Sequence, residues 1–317
     1  MVDAAPSKQS SAHKEMDTET RTAVVIRFSG DSGDGMQLTG EQFTNTSAVF
    51  GNDVSTFPDI PAEIRAPAGT IPGLSGFQVH FGSSELYTAG DQPQVLVAMN
   101  PAALKANLSD LEPGGVIIAN IDSFTRNNLR KAGYTESPLD DDSLSGYELH
   151  PVSLTVMTRT ALDDIQGMSN QQKDLCKNAF ALGLAFWMFE RPMETTLDFY
   201  KRKFGKNPQV VEANTRALKA GYNYGETTEA FQSRVRVPSR TNVQPGIYRR
   251  ITGNEALVLG LVTAAHKAKK PLFYGSYPIT PASSILEGLA ALKNFDIRTF
   301  QAEDEIAAIG SVVGAAF

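Results

Sequence analysis

Apolar and polar positions first fall into a regular pattern at Ala23. Ala23-Val24-Val25-Ile26-Arg27-Phe28 is a β-rich apolar run, and Ser29-Gly30-Asp31-Ser32-Gly33-Asp34-Gly35 follows as a glycine-rich turn. From Met36 the spacing becomes helical, with Met36, Phe43 and Ala48 among the apolar positions. Strand, turn and helix in that order open an α/β unit. Further strands are predicted at 77–81, 95–99 and 116–119, with a helix after Asn100-Pro101, since proline suits the first helical position. Between the early strands, 57–73 carries Pro58, Pro61, Pro67 and Pro72 and reads as a long irregular loop.

From about Leu162 to Tyr222 the pattern is helical, and 175–190 is apolar almost all round, which predicts a deeply packed helix. The stretch 234–244, closed by Pro245-Gly246, reads as a linker. A second α/β unit follows: helix over 254–269, strand over 272–274, helix over 282–292, strand over 297–300 and helix from Glu303. Two strands are few for a sheet domain, and the apolar helix 305–317 lacks a stop signal. The expectation is a chain that continues beyond Phe317. The expected organisation is a flexible tail over 1–20, a first domain over 21–230, a linker over 231–247 and the N-terminal part of a second domain over 248–317.

Length fits this division, since 317 residues are roughly twice the soft prior of about 150 per domain. Charge narrows the function classes. With 29 Lys and Arg against 35 Asp and Glu the net charge is -6 and the pI near 5.3. An acidic chain without a basic stripe is a poor nucleic-acid binder, and no apolar run is long enough to suggest a membrane span. Residues 1–20 have no apolar core and no arginine, unlike a secretory or transit peptide. The single cysteine, Cys176, precludes an internal disulfide and a four-cysteine iron–sulfur cluster. It reads as a small buried hydrophobe in a helix, with a catalytic thiol as the lesser alternative. Cytoplasmic location is the natural expectation.

Three motifs could carry chemistry. In Gly30-x-x-Gly33-x-Gly35 the glycines let backbone N–H groups approach an anion at a strand-to-helix turn. The spacing is neither the dinucleotide fingerprint nor a Walker loop, and Asp31 and Asp34 put negative charge where a phosphate would sit; a plain connecting turn is the alternative. In Tyr277-Pro278-Ile279-Thr280-Pro281 the two prolines around Thr280 stiffen the loop. They fix a hydroxyl at the carboxyl end of a strand, where open α/β sheets bind ligands; the alternative is Thr280 as a helix N-cap. In Glu303-Asp304-Glu305 the carboxylates suit a helix start. Small apolar residues follow Glu305, so it is expected against a closed surface, desolvated and with a raised pKa, able to share a proton with a neutral nitrogen base.

The last two motifs carry a family resemblance. Tyr277-Pro278-Ile279-Thr280-Pro281-Ala282-Ser283-Ser284, followed by Glu305-x-Ala307-Ala308-x-Gly310, resembles the pyrimidine-binding domain of thiamine-diphosphate-dependent 2-oxoacid:ferredoxin oxidoreductases. The N-terminal part resembles the family's gamma domain. Phe28 to Met36, Glu63-Ile64-Arg65-Ala66-Pro67 and Gly73 to Gln78 look like the 2-oxoglutarate branch. A gamma domain ahead of a pyrimidine-binding domain fits the alpha subunit of that branch.

The resemblance implies an α/β chain: a gamma domain, then the start of a pyrimidine-binding domain. Glu305 matches the glutamate that hydrogen-bonds the aminopyrimidine ring, and Thr280 the threonine near the reactive centre; Tyr277, Pro278 and Ile279 would shape that wall. The implied reaction is reversible oxidative decarboxylation of 2-oxoglutarate to succinyl-CoA, reductive carboxylation in reverse. Coenzyme A is associated with the gamma domain, so Gly30, Ser32, Gly33 and Gly35 are candidates for lining its route, with Arg65 an alternative anion partner. No metal ligand is assigned to this chain. Mg²⁺, the diphosphate site and a [4Fe-4S] cluster would belong to a beta subunit, in an (alpha-beta)₂ assembly that reduces ferredoxin. Competing readings are a subunit acting on pyruvate or a branched 2-oxoacid, a non-catalytic coenzyme A or nucleotide-binding module, and a structural assembly subunit.

Overall fold

A computed structural model describes residues 17–60, 73–228 and 233–317. Their contacts separate the chain into two compact units that divide between Gln244 and Pro245.

In the first unit the strands are β1 (Asp17–Thr20), β2 (Ala23–Asp31), β3 (Asp53–Asp59), β4 (Leu74–Gly82), β5 (Val95–Ala98), β6 (Val116–Asn120), β7 (Glu148–Val152) and β8 (Ser233–Arg236). The helices are α1 (Met36–Phe50), α2 (Pro101–Asn107), α3 (Arg126–Lys131), α4 (Leu154–Ala161), α5 (Asn170–Asp174), α6 (Lys177–Met188), α7 (Glu194–Phe204) and α8 (Pro208–Thr228). Six strands form a mixed sheet in the order β3-β4-β2-β5-β6-β7. β2, β5, β6 and β7 are parallel, and β4 runs antiparallel to β2 and β3.

β2 is buried along nearly its whole length, as a strand covered on both faces must be. One face carries α1, α6 and α8 over Ile26, Phe28, Val95 and Val97. The other carries α2 over Leu96, Ala98, Ile117 and Ala119. The ring of Phe43 on α1 lies 5.2–6.0 Å from those of Phe28, Phe81, Phe186 and Phe189. α6 is buried on all sides apart from its first residue, as its continuous apolar sequence predicts.

Several elements depart from the sequence expectation. β1 lies inside the stretch expected as a tail, and β8 inside the expected linker; the two pair in parallel. Side-chain bonds fix the chain after β8: Asn52 Nδ2 donates to the Pro238 carbonyl at 2.7 Å, and Arg236 meets Glu190 at 2.7 Å. The expected loop starting at Phe57 overlaps β3, since proline is compatible with an edge strand. The remainder of that loop, 61–72, lies outside the described residues. β7 and α4 were not anticipated. Cys176 stands at the N-cap of α6, buried, and burial pushes its thiol up to about 11, which leaves it protonated and suits the buried-hydrophobe reading.

The second unit contains α9 (Gly253–Ala268), β9 (Leu272–Ser276), α10 (Ser283–Ala291), β10 (Ile297–Gln301) and α11 (Glu305–Ala316). β9 and β10 pair in parallel, with Gly275 opposite Phe300 and Ser276 opposite Gln301. Val258 and Val262 of α9 pack with Ile285 and Leu289 of α10. A capping box at Thr252 and Glu255 starts α9. Among the described residues, no helix is long and apolar enough to cross a membrane.

The α6–α8 contact depends on Gly183 and Gly221. A Cβ on either would overlap the backbone carbonyl of Leu218 or Phe180 on the facing helix. Gly183→Ala and Gly221→Ala should each lower stability by about 1–3 kcal/mol, read as a lower urea midpoint. Gly260→Ala, at an open position on α9, should instead raise it slightly by helix propensity.

Candidate functional site

The chain turns from β2 to α1 on one face of the sheet and from β5 to α2 on the other. Between β2 and β5 the helix side therefore reverses, and the crevice at the carboxyl ends of such a strand pair is where open α/β sheets bind ligands. The turn 30–35 occupies it. Gly33 (φ 105°) and Gly35 (φ 78°) adopt left-handed backbone, which only glycine takes without strain. Gly35 is also the N-cap of α1 and offers no side chain to its first N–H groups. Ser32 and Gly33 are exposed.

The two aspartates in this turn are held by partners within the unit. Asp31 accepts a hydrogen bond from Asn100 Nδ2 at 2.8 Å. Asp34 accepts from the Asp31 N–H at 3.2 Å and pairs with Lys177 at 3.0 Å. Burial, and secondarily the Asp34 charge, push the Asp31 carboxyl above its ordinary value against the pull of Asn100, Lys177 and Lys131. A cleft of about 70 Å³ beside Asp31 is lined by Asn100, Asn128 and Lys131. The structure thus brings Gly30, Ser32, Gly33 and Gly35 together in one turn and adds Asn100, Lys131 and Lys177, which the sequence pattern did not single out. Asn100 carried one signal, its place before Pro101 as a helix cap, and it fills that role by accepting from Ala103 N–H at 2.8 Å. Arg65 lies outside the described residues.

In the second unit, the Tyr277–Pro281 loop leaves the carboxyl end of β9, and Glu305 follows the carboxyl end of the adjacent parallel strand β10. The Ala302 N–H donates to the Ser276 carbonyl at 2.7 Å, extending the pairing by one step. Asp304 caps α11, accepting from Ala307 N–H at 2.8 Å, so Glu305 is the first helical residue. α11 comes close to β9 at Gly275, where a Cβ would stand 2.7 Å from Ser311 Oγ and 2.9 Å from Val312 Cγ2. Within this frame the Glu305 carboxylate raises the pKa of the Tyr277 phenol.

The loop itself is clamped by Asn254 on α9, whose Nδ2 donates to the Pro281 carbonyl at 2.7 Å and to Ser284 Oγ at 2.8 Å. Asn254 escaped the sequence reading because its partners lie 27 and 30 residues away. The N-cap of α10 is Ala282, and the turn closes through Ala282 and Ser283 N–H groups onto the Ile279 carbonyl. The reading of Thr280 as a helix cap is thereby overturned: among the described residues its exposed hydroxyl makes no hydrogen bond. Pro278 and Ile279 are likewise exposed. One further expectation requires correction. Glu305 is exposed, not set against a closed surface, because Ile306 and Ile309 beside it are uncovered too, at 81% and 60% exposure.

Glu305 is exposed at the start of α11, after the carboxyl end of β10, and a carboxylate has about four acceptor positions, so the residues present fit a heterocycle that presents a ring nitrogen there. Among the described residues no group of three or more His, Cys, Asp or Glu is placed to hold a metal ion.

Comparison with known proteins gives two family matches: pyruvate ferredoxin/flavodoxin oxidoreductase over residues 25–224, and pyruvate flavodoxin/ferredoxin oxidoreductase, thiamine-diphosphate-binding, over residues 264–317. The chain is 52% identical, over 98% of its length, to the 2-oxoglutarate oxidoreductase subunit KorA of Mycobacterium tuberculosis, of which it spans 47%. It is 46% identical over 66 residues to the 2-oxoglutarate synthase subunit KorA of Archaeoglobus fulgidus, covering 20% of this chain and 18% of that one. Among solved structures it resembles the 2-oxoglutarate:ferredoxin oxidoreductase from Magnetococcus marinus, solved with 2-oxoglutarate, coenzyme A and succinyl-CoA bound. That match has a TM-score of 0.69 and 26% identity, and covers 93% of this chain and 46% of the other. The chain thus spans about half the length of these two long matches.

The raised Asp31 carboxyl has a consequence for stability. Its folded form binds a proton more tightly than the unfolded chain does, so ionised Asp31 opposes folding above the raised value. Asp31→Asn, which keeps an acceptor for Asn100, should make the protein more stable at neutral pH. The gain should fade as pH falls toward the unfolded carboxyl value of 3.8. Urea unfolding of both forms across pH measures this, and a gain that grows on acidification would contradict it.

Proposed function

Because the chain belongs to the pyruvate ferredoxin/flavodoxin oxidoreductase family, we propose that it serves in the alpha subunit of a 2-oxoglutarate:ferredoxin oxidoreductase. The reaction is the reversible oxidative decarboxylation of 2-oxoglutarate and coenzyme A to succinyl-CoA and CO₂, with the released electrons passed to ferredoxin. The observation that carries this reading is the delivery of the Tyr277–Pro281 loop and Glu305 to the carboxyl ends of paired parallel strands. It falls inside the segment matched to the thiamine-diphosphate-binding family. The relatives named for 2-oxoglutarate favour that 2-oxoacid over pyruvate or a branched one.

Thiamine diphosphate supplies, when bound, a nucleophilic carbon that attacks the keto group and holds the electrons left after CO₂ departs. The part assigned to this chain is proton handling and positioning. Glu305 would hold the pyrimidine at its ring nitrogen and keep the proton there. Thr280, stiffened between Pro278 and Pro281, offers a free hydroxyl to the substrate side of the site. Tyr277 and Ile279 form the wall beside it. Coenzyme A approaches along the turn Gly30, Ser32, Gly33 and Gly35; with Asp31 and Asp34 engaged by Asn100 and Lys177, the uncapped start of α1 is the electropositive feature there.

The remaining chemistry belongs to a beta subunit. These 317 residues hold one cysteine, buried, too few to ligate a [4Fe-4S] cluster; in this proposal the beta subunit carries the cluster, the Mg²⁺ and the diphosphate site. The two chains form an (alpha-beta)₂ assembly in the cytoplasm.

The experiment is Glu305→Gln in the full-length subunit purified with its partner, assayed by 2-oxoglutarate-dependent reduction of a viologen dye. Turnover should fall by about 100-fold or more with the assembly intact by size-exclusion chromatography. Near-normal turnover would overturn the catalytic reading in favour of a binding or structural role.

A further inference from the structure

Asn254 stands where the pattern of its own helix calls for an apolar residue. Asn254, Val258 and Val262 recur at intervals of four on α9 and share one stripe of it. Val258 and Val262 are buried with Ile285 and Leu289 of α10. The amide at the head of that stripe donates instead to the Pro281 carbonyl at 2.7 Å and to Ser284 Oγ at 2.8 Å. We infer that Asn254 is a positioning residue for the proposed reaction: it ties the loop carrying Thr280 to α9 and so sets where the Thr280 hydroxyl stands. The inference rests on the assignment of Thr280 made above and goes beyond it, since a residue on another helix then acts through Thr280.

Both sides of this contact are fixed. On α9 a capping box closes around Asn254: the Thr252 N–H donates to Glu255 Oε2 at 2.8 Å and the Glu255 N–H to Thr252 Oγ1 at 3.3 Å. On α10 a Cβ added to Gly288 would stand 3.0 Å from Val258 Cγ2, so the two helices lie close one turn further along. The loop has bonds of its own. The Ile279 carbonyl accepts from the Ala282 N–H at 3.1 Å, the Ser283 N–H at 2.9 Å and Ser283 Oγ at 2.8 Å. These shape the turn but stay within the loop and α10. The Asn254 amide joins that turn to a second element, spending both its N–H donors to do so. Thr280 thus lies between the Ile279 carbonyl, held from α10, and the Pro281 carbonyl, held from α9, while the Pro281 ring fixes the adjoining φ. Loss of the amide donor would release the Pro281 carbonyl, and a displacement of about 1 Å at a reacting group can cost about 100-fold in rate.

The test is a double-mutant cycle in the full-length subunit with its partner, reading kcat and KM in 2-oxoglutarate-dependent reduction of a viologen dye. Asn254→Asp keeps the side chain's shape, can still accept from the Ser284 hydroxyl and suits the first turn of a helix, but cannot donate to the Pro281 carbonyl. Thr280→Val keeps the shape of Thr280 and removes its hydroxyl. Asn254→Asp should lower kcat about tenfold and leave the KM for coenzyme A unchanged. In the Thr280→Val background it should lower kcat no further. Asn254→Ala, which removes both bonds, should show the same dependence on Thr280. A silent Asn254→Asp beside a damaging Thr280→Val, or an equal loss in both backgrounds, would overturn the positioning role alone. Unchanged turnover in Thr280→Val would instead sink the assignment of Thr280, and this inference with it.

Discussion

The parallel pairing of β9 with β10 is the constraint from which the second unit's chemistry follows. Parallel strands emerge on the same side of a sheet, so whatever follows each is delivered to one edge. Here the residues after β9 are Tyr277 to Thr280, and those after β10 lead to Glu305. An antiparallel pairing would send them to opposite edges. A slip by one residue would turn side chains to the opposite face. The nearness of the Tyr277 loop to Glu305, far apart in sequence, is therefore a consequence of register, and Gly275 protects that register by letting α11 lie close against the sheet.

The first unit uses the same rule with a different device. Its edge site arises where the connection from β2 passes to one face and that from β5 to the other, which leaves a crevice that neither helix fills. The glycines of the 30–35 turn let the chain reverse inside this crevice. Asn100 and Lys177 then settle the charges of Asp31 and Asp34. The acidic residues that seemed incompatible with an anion nearby are parts of the scaffold. Their carboxylates bind the turn to the start of α2 and to α6, leaving Ser32 and Gly33 exposed.

Much of this was legible in the sequence where a segment's own pattern decides its fate. β2, β5 and β6 are near-continuous apolar runs, as buried strands must be, β4 alternates Phe77, Val79 and Phe81 with polar residues, and α6 is apolar all round. β3, β7 and β8 escaped because Pro58, Pro151 and the alternating Arg234 and Arg236 belong to strands with partly exposed faces, whose pattern is weak. The glycine spacing marked the first candidate site and the Pro-x-x-Pro loop the second. Their supporting partners carried no local signal: Asn254 clamps a loop some thirty residues away, and Lys177 meets Asp34 from across the core. Thr280 was ambiguous for a physical reason. A hydroxyl just before a helix can cap it, and only the turn onto the Ile279 carbonyl shows that it does not.

The exposure of Glu305 sets a condition on the proposed reaction. A carboxyl group in water is ionised at neutral pH, whereas sharing a proton with a ring nitrogen requires that the charged form be disfavoured by burial. Among the described residues none supplies that burial: Glu305 is exposed, and Ile306, Ile309 and Val313 of the same helix are exposed with it. The apolar surroundings that would hold a proton on Glu305 therefore have to come from something that covers α11, and the proposed proton transfer depends on that covering as much as on Glu305 itself.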